Sequence, residues 1–367
     1  MRVVLVEPNL SGHHKLYLTT FKKILLQLGH EVFVISTDTC FATEGCQVRY
    51  TSPRLYFKMG IGKKLNVCYN LFLTVLNLIR VRCAIRKDVD IVFFCCFDDY
   101  MNELMPAFLF DWIFPIKTSG LLLKARNYKG QPFFDRRNIL KADHIHSIAT
   151  LEEFAGEELS RYIKRVVVFP DFADPQSPNK QFDLANLIEE KARGRKIVTV
   201  IGALDMRKGI KTFVECAKLL PKDHYYFVMA GKAHFSEGEE AYVKRQFSQE
   251  NEFYYPFHIP TEADFNRLIE ISHVIYAAYV DFPQSSNMLA KATIFKKPLI
   301  VSAGYYMEAI VEKYGMGYVI DQDSASDACC VIKEAVAKWH YSPMAQKYLD
   351  KNSIHNLKAC FDTLLSS

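Results

Sequence analysis

The chain has 367 residues, half of them hydrophobic and 24% charged, with a formal net charge of +5. That length accommodates two or three domains with cores of their own, and the composition is globular rather than disordered or fibrous. The ten cysteines are scattered without a CxxC pair, which argues against a zinc site and fits a reducing compartment.

Residues 2–7 read as one strand whose members 3–6 are a continuous apolar run, the pattern of a strand covered on both faces. A polar loop at 8–15 leads into a helix with Leu16, Thr20, Ile24 and Leu28 at helical spacing, closed by Gly29 before strand 32–36. This βαβ unit implies a parallel sheet, and the absence of GxGxxG removes the dinucleotide fingerprint. The opening MRVVLVEPNL lacks the charged leader, apolar run and cleavage site of a signal peptide, so a cytoplasmic location is expected.

From Arg54 to Lys87 there are eight basic residues and no acid. Within that run LNVCYNLFLTVLNLI is apolar but interrupted by Asn66, Asn70 and Asn77, too short and broken for a span of about 20 residues. A basic helix with a broad apolar side suits an anionic membrane surface, which would make the protein peripheral on the inner face. A buried helix with solvated basic ends fits the same pattern. Nucleic acid is not expected as a partner, because no aromatic-basic interleaving or reader motif accompanies the charge.

Strands are expected at 89–97, 143–147 and 165–169, with a helix over 151–163. The stretch FPDFADPQSPNKQFD around Pro170 changes character and reads as a linker. The alternation then restarts with strand 196–201, loop 202–209, helix 210–220, strand 225–230, helix 238–249, strand 252–257 and helix 261–272. After the strand ending at 280 comes a turn with Pro283. A helix with Met288, Leu289, Ala292 and Phe295 on one face follows, stopped by Pro298 before strand 299–301. Helices over 325–340 and 343–365 close the chain. The expected class is α/β, with two doubly wound Rossmann-like domains facing each other across a cleft. Their bounds are 1–172, with 346–367 packing back on it, a linker at 173–195, and 196–345.

Doubly wound sheets bind ligands beyond the carboxyl ends of their strands. That rule selects the loops at Gly12-His13-His14, Asp98-Asp99, 202–209, Gly231-Lys232 and Ser285-Ser286-Asn287. A helix N-terminus offers unpaired N–H groups and a partial positive charge, so the two hydroxyls and amide at 285–287 suit a diphosphate. Capping the helix is the plainer role for either serine. Arg207 and Lys208 stand at a strand-to-helix junction where Gly209 permits close backbone approach. Arg can hold a diphosphate in two places and Lys adds a point charge, whereas a solvated loop would use neither.

These segments resemble the GT-B glycosyltransferases, in the group that includes the large retaining bacterial enzymes. The likeness lies in LVEPNLSGHHKLYLTTFKKILLQLGHEVFVIS, VIGALDMRKGIKTFVECAKLL, FVMAGKA and the stretch 277–320, and it covers nearly the whole chain. It implies a diphosphate-binding lysine at Lys208, with Gly12 and Gly231 in strand-end loops and His258 and Ile259 seating the nucleobase through the backbone. Two positions depart from the family. Ala203 stands where an arginine is common, and the pair of glutamates with seven residues between them falls on Pro283 and Lys291. Arg207 would replace the arginine, and Lys291 would meet a phosphate.

The resemblance further implies metal-independent transfer of a sugar from a nucleoside diphosphate, UDP or GDP, to a glycan or lipid-linked acceptor in cell-surface polysaccharide synthesis. It places the acceptor on the N-terminal half, where His13, His14 and Asp99 are candidate bases. The spellings Asp88-Val-Asp90 and Asp321-Gln-Asp323 match a metal motif of the other large glycosyltransferase fold but lack its context, so no metal and no cofactor are expected. A catalytically silent nucleotide- or partner-binding GT-B protein and a sugar-nucleotide epimerase are the alternatives.

Overall fold

The computed structural model describes residues 1–10, 13–51, 61–85, 88–125, 135–173 and 176–366, leaving aside the side chains of residues 13 and 61–64. The chain divides into two compact units, Met1–Pro170 with Ile354–Ser367, and Asp171–Ser353.

The first unit contains β1 (Arg2–Val6), α1 (His13–Gln27), β2 (Glu31–Ile35), α2 (Ile61–Ala84), β3 (Ile91–Phe94) and α3 (Ala107–Ile113). It continues with β4 (Thr118–Leu122), β5 (Ile145–Thr150), α4 (Gly156–Leu159) and β6 (Val166–Val168). Among the described residues these strands form one parallel sheet in the order β2-β1-β3-β4-β5-β6. Apolar runs such as IVFF in β3 are buried throughout because helices cover both faces of the sheet.

The second unit contains α5 (Asp183–Ala192), β7 (Lys196–Ile201), α6 (Ile210–Leu219), β8 (Tyr225–Ala230), α7 (Glu237–Gln246), β9 (Glu252–Tyr255) and α8 (Glu262–Ile271). β10 (Val274–Ala277), α9 (Met288–Ile294), β11 (Leu299–Ser302), α10 (Tyr306–Tyr314), β12 (Gly317–Ile320), α11 (Ala325–Lys338) and α12 (Pro343–Lys351) complete it. Its parallel sheet runs β12-β11-β10-β7-β8-β9. A last helix, α13 (Asn356–Leu365), belongs to the first unit. Its Phe361 ring meets Phe21, Phe93 and Phe169 at centroid distances of 5.3, 5.4 and 4.9 Å. Such edge-to-face packing anchors the returning tail through buried apolar area.

Several expectations need correction. The stretch 173–195 is no plain linker, because it includes α5, whose Ala185, Ile188 and Ala192 are buried in the core of the second unit. The expected helix at 151–163 shrinks to α4, and 343–365 is two helices broken around Asn352. That break gives the Asn352 side chain to the Asp171 N–H, which it accepts at 2.8 Å. Two strands, β4 and β12, are additional. Both include a glycine imposed by tertiary packing: a Cβ on Gly120 would lie 2.8 Å from Phe97 Cβ, and one on Gly317 would lie 1.9 Å from the Leu299 carbonyl oxygen. Composition disguises such strands, since glycine is depleted in strands generally.

Candidate functional site

In the second sheet β7 and β10 are neighbours although three helices and two strands separate them in sequence. The strand order reverses there, which opens a crevice beyond their carboxyl ends. The loops that follow the two strands are tied together. The Val280 N–H donates to the Arg207 carbonyl at 2.7 Å. Gly209 has φ +70°, and a Cβ there would stand 2.3 Å from the Ala278 carbonyl oxygen. Its close backbone approach is therefore to the partner loop.

Lys208 folds back over the end of β7. Its Nζ donates to the Ile201 carbonyl at 2.7 Å, lies 3.4 Å from Tyr279 Oη, and sits 5.0 Å from the centre of the Tyr279 ring. An ammonium has three donors, so this anchoring leaves one for a ligand. Arg207 does not join it. The Arg207 guanidinium is 5.0 Å from the Phe282 ring centre and 3.4 Å from Asp205 Oδ2. It lines a recess of about 550 Å³ together with Glu215, Asp281 and Asp323, and those carboxylates would repel a diphosphate. The expected two-cation cradle is reduced to Lys208.

After β10, α9 has only seven residues and begins at Met288, with Asn287 at its cap in helical conformation and without a side-chain capping bond. The Ser285 hydroxyl is committed elsewhere: it donates to Asp171 Oδ2 at 2.5 Å. Ser286 Oγ accepts from the Met288 N–H at 3.4 Å. The backbone amides of Ser285, Ser286 and Asn287 have no protein acceptor among the described residues. Amides, more than hydroxyls, are what this loop offers an anion.

Asp171 was not visible as a participant in the sequence. Burial pushes its pKa up to about 6, against the pull of the Ser285 hydrogen bond. Its ionisation is costlier in the folded chain than in the unfolded one. The carboxyl's contribution is therefore fully present below the unfolded pKa of about 4 and is lost as pH rises through about 6. Asp171→Asn keeps an acceptor for Ser285 and removes that loss. Urea unfolding is expected to show the variant more stable than the parent by up to about 3 kcal/mol at about pH 8, with the gap closing near about pH 4.

In the first unit the corresponding reversal lies between β1 and β3. Glu7, fully buried at the end of β1, has Oε2 3.0 Å from His14 Nδ1 and accepts the Asn9 N–H on Oε1 at 3.0 Å. Burial pushes the Glu7 carboxyl up, and the hydrogen bond and charge of His14 pull it back only partly. Desolvation alone would lower the His14 pKa. The hydrogen bond and charge of Glu7, with Asp99 and Asp98 beyond, outweigh it and hold the imidazole above its usual range. The pair thus keeps its proton to higher pH than free imidazole. With Glu7→Gln the negative charge goes and the desolvation stays, so NMR titration is expected to find the His14 pKa below about 6.5. An unchanged value would show that Glu7 does not control this histidine.

Asp99 Oδ2 accepts the Tyr50 hydroxyl at 3.0 Å. Asp98 is structural, accepting the Leu123 and Lys124 N–H groups at 2.6 and 3.1 Å. Gly12 and the His13 side chain lie outside the described residues.

Residues 186–355, nearly all of the second unit, match the model of the family described as glycosyl transferases group 1. The second unit is a group 1 glycosyl transferase domain. A glycosyltransferase from Rickettsia africae is 16% identical with a TM-score of 0.67, covering 100% of this chain and 99% of that one. WaaG, a glycosyltransferase involved in lipopolysaccharide biosynthesis, is 14% identical with a TM-score of 0.66 and full coverage of both chains. Anabaena HepE, solved with UDP and glucose, is 12% identical with a TM-score of 0.64 and 98% coverage of each. At those identities the likeness is one of fold, and the fold is GT-B. No curated protein matches the chain. The glycosyltransferase assignment is made for that second unit.

The remaining candidate residues take their places within this glycosyltransferase domain. Lys291 turns inward and is only 2% exposed. Its amine bonds Glu262 and, at 3.1 Å, Asn266 Oδ1, so the expected phosphate contact is replaced by an internal ion pair. A methylene chain buried on a helix can end in an ion pair only if partners are supplied, and α8 supplies both. Gly231 has φ +141°, and its missing side chain leaves room for Gly202. Ile259 is buried in the core, while His258 is exposed beyond β9.

Proposed function

We propose that the glycosyltransferase takes its sugar from a nucleoside diphosphate donor held on the second unit and passes it to a glycan or lipid-linked acceptor. Cell-surface polysaccharide assembly in the cytoplasm is the setting that fits this acceptor class. The observation that carries the reading is the Lys208 amine, pinned at the β7–β10 junction with one donor to spare, beside a loop whose successive amides have no protein acceptor among the described residues. A fixed ammonium and fixed N–H dipoles stabilise the charge that grows on a departing diphosphate, and they need no reorganisation to do so. HepE was solved with UDP, which makes UDP the first nucleotide to test here, with GDP second. On the first unit, the imidazole of His14, oriented by Glu7, is the proposed acceptor of the hydroxyl proton. Of the candidate bases His13, His14 and Asp99, it is the one held by a buried carboxylate, while the His13 side chain lies outside the described residues.

Titration calorimetry with UDP and with GDP tests the donor site, and binding of neither would end the proposal. A second reading, a nucleotide-binding protein without transfer, draws on Lys291, whose amine is used internally where the family has an acidic donor contact. Product analysis separates the two: sugar transfer to a lipid or glycan acceptor excludes the silent reading. Interconversion of donor sugars with no acceptor present would point to an epimerase.

A further inference from the structure

Two cysteines of the second unit meet across a helix–helix contact. α6 and α11 pack side by side in one core, where Cys216 is fully buried and Cys329 is 7% exposed. Cys216 Sγ donates to the Ala325 carbonyl oxygen at 3.5 Å. That carbonyl lies one turn before Cys329 in α11, where it accepts the Cys329 N–H in the helical pattern. The Cys216 sulfur is therefore seated against the backbone of its counterpart, and the Cys216 and Cys329 thiols are hydrogen-bonded to each other. Both are free cysteines.

A buried cysteine by itself is an inert small hydrophobe. This pair differs because its two sulfurs are in contact and unlike. The shared hydrogen bond, with burial behind it, pushes the Cys216 thiol up, so that sulfur keeps its proton. The same bond draws Cys329 down against its burial, and Lys333, one turn further along α11, adds its charge to the pull. The more acidic thiol is thus the one that retains some access to solvent, and a second thiol stands directly behind it. A reactive thiol backed by a resolving one is the arrangement of a redox-responsive pair. The adjacent Cys330 is exposed and belongs to the solvent side of α11.

We propose that Cys216 and Cys329 form a reversible disulfide that staples α6 to α11 when the protein meets hydrogen peroxide. The Cys329 thiolate attacks one peroxide oxygen, an S–O bond forms, the O–O bond breaks, and the departing hydroxide becomes water with the proton that Cys329 gave up. The Cys216 sulfur then attacks Cys329. The S–S bond forms as the S–O bond breaks, and the oxygen leaves as a second water with the proton of Cys216. The two thiols lose two electrons and the peroxide gains them. The bridge closes a long loop of chain, which stabilises the fold by narrowing the unfolded ensemble. In a reducing compartment such a bond is transient, since dithiols return it to the free pair. The proposal rests on the second unit's packing alone and is independent of the donor reading.

The full-length protein, treated with hydrogen peroxide, blocked with N-ethylmaleimide and digested without reductant, is expected to yield two peptides joined through Cys216 and Cys329. The joined pair should be lighter than its two thiol peptides by two hydrogens and should separate in dithiothreitol. The thermal unfolding midpoint is expected to rise by roughly 5 °C or more on oxidation and to return on reduction. Cys329→Ala should lose both the link and the rise. Cys330→Ser should keep both, because its exposed sulfur takes no part. No link between Cys216 and Cys329, a link through Cys330 in its place, or an oxidised midpoint no higher than the reduced one would each overturn the proposal.

Discussion

Replacing Lys208 with alanine is expected to lower kcat/KM for the nucleotide-sugar donor by roughly 10²–10³-fold, the usual effect of deleting one preorganised donor to a developing anion. The expectation follows from where the amine is held. Its contacts with the Ile201 carbonyl and Tyr279 hydroxyl fix it over the carboxyl end of β7, so a diphosphate finds the charge already in place. Calorimetry with UDP should show weakened binding in the same variant, while the unfolding midpoint falls only slightly, because the bond to Ile201 is a single one near the surface. Arg207→Ala is the control. Its guanidinium stacks by Phe282 among carboxylates, so its removal should change kcat/KM far less. Equal losses from the two variants would mean that both cations reach the donor and that the separation described here is wrong.

Gly231→Ala is expected to give the largest loss of stability, at least about 4 kcal/mol, or no folded protein. A Cβ at this position would lie 1.9 Å from the Gly202 carbonyl oxygen and 2.6 Å from its carbon, on a backbone with φ +141°. Neither atom can yield, because the ends of β7 and β8 are bonded through Gly202 N–H to Ala230 and Gly231 N–H to Tyr255 at 3.0 and 2.9 Å. Gly202→Ala should be milder in steric terms, since its Cβ would meet the flexible end of Lys208 at 3.3 Å. Gly238→Ala, which would meet nothing within 4 Å, should leave urea unfolding near the parent value. If Gly231→Ala folds normally and loses only donor binding, the residue contacts the ligand as the sequence suggested, and the packing explanation fails.

Much of the fold was legible in the chain. Apolar runs bounded by turn residues located β1, β7, β8 and β11 closely, because a strand buried on both faces must be apolar on both. The strands that escaped, β4 and β12, have glycines whose reason is a neighbouring backbone or phenyl group far off in sequence. The site divided in the same way. Lys208 was marked by its place between a buried strand and a helix, a local signal. Glu7 also had one, an acid closing an otherwise apolar strand seven residues before His14, though its weight appears only when both meet at 3.0 Å.

The sequence by itself determined the alternation of strand and helix, the two-unit plan and the loops in which ligand-binding groups must lie, since all three follow from periodicity and chain direction. Tertiary structure decided which side chains in those loops are available. Lys291 and Ser285 looked like phosphate ligands, yet Glu262 with Asn266, and Asp171, claim their polar atoms. A polar group in a buried setting takes the nearest partner that satisfies it, and partners brought from elsewhere in the chain are fixed only when the sheet has formed.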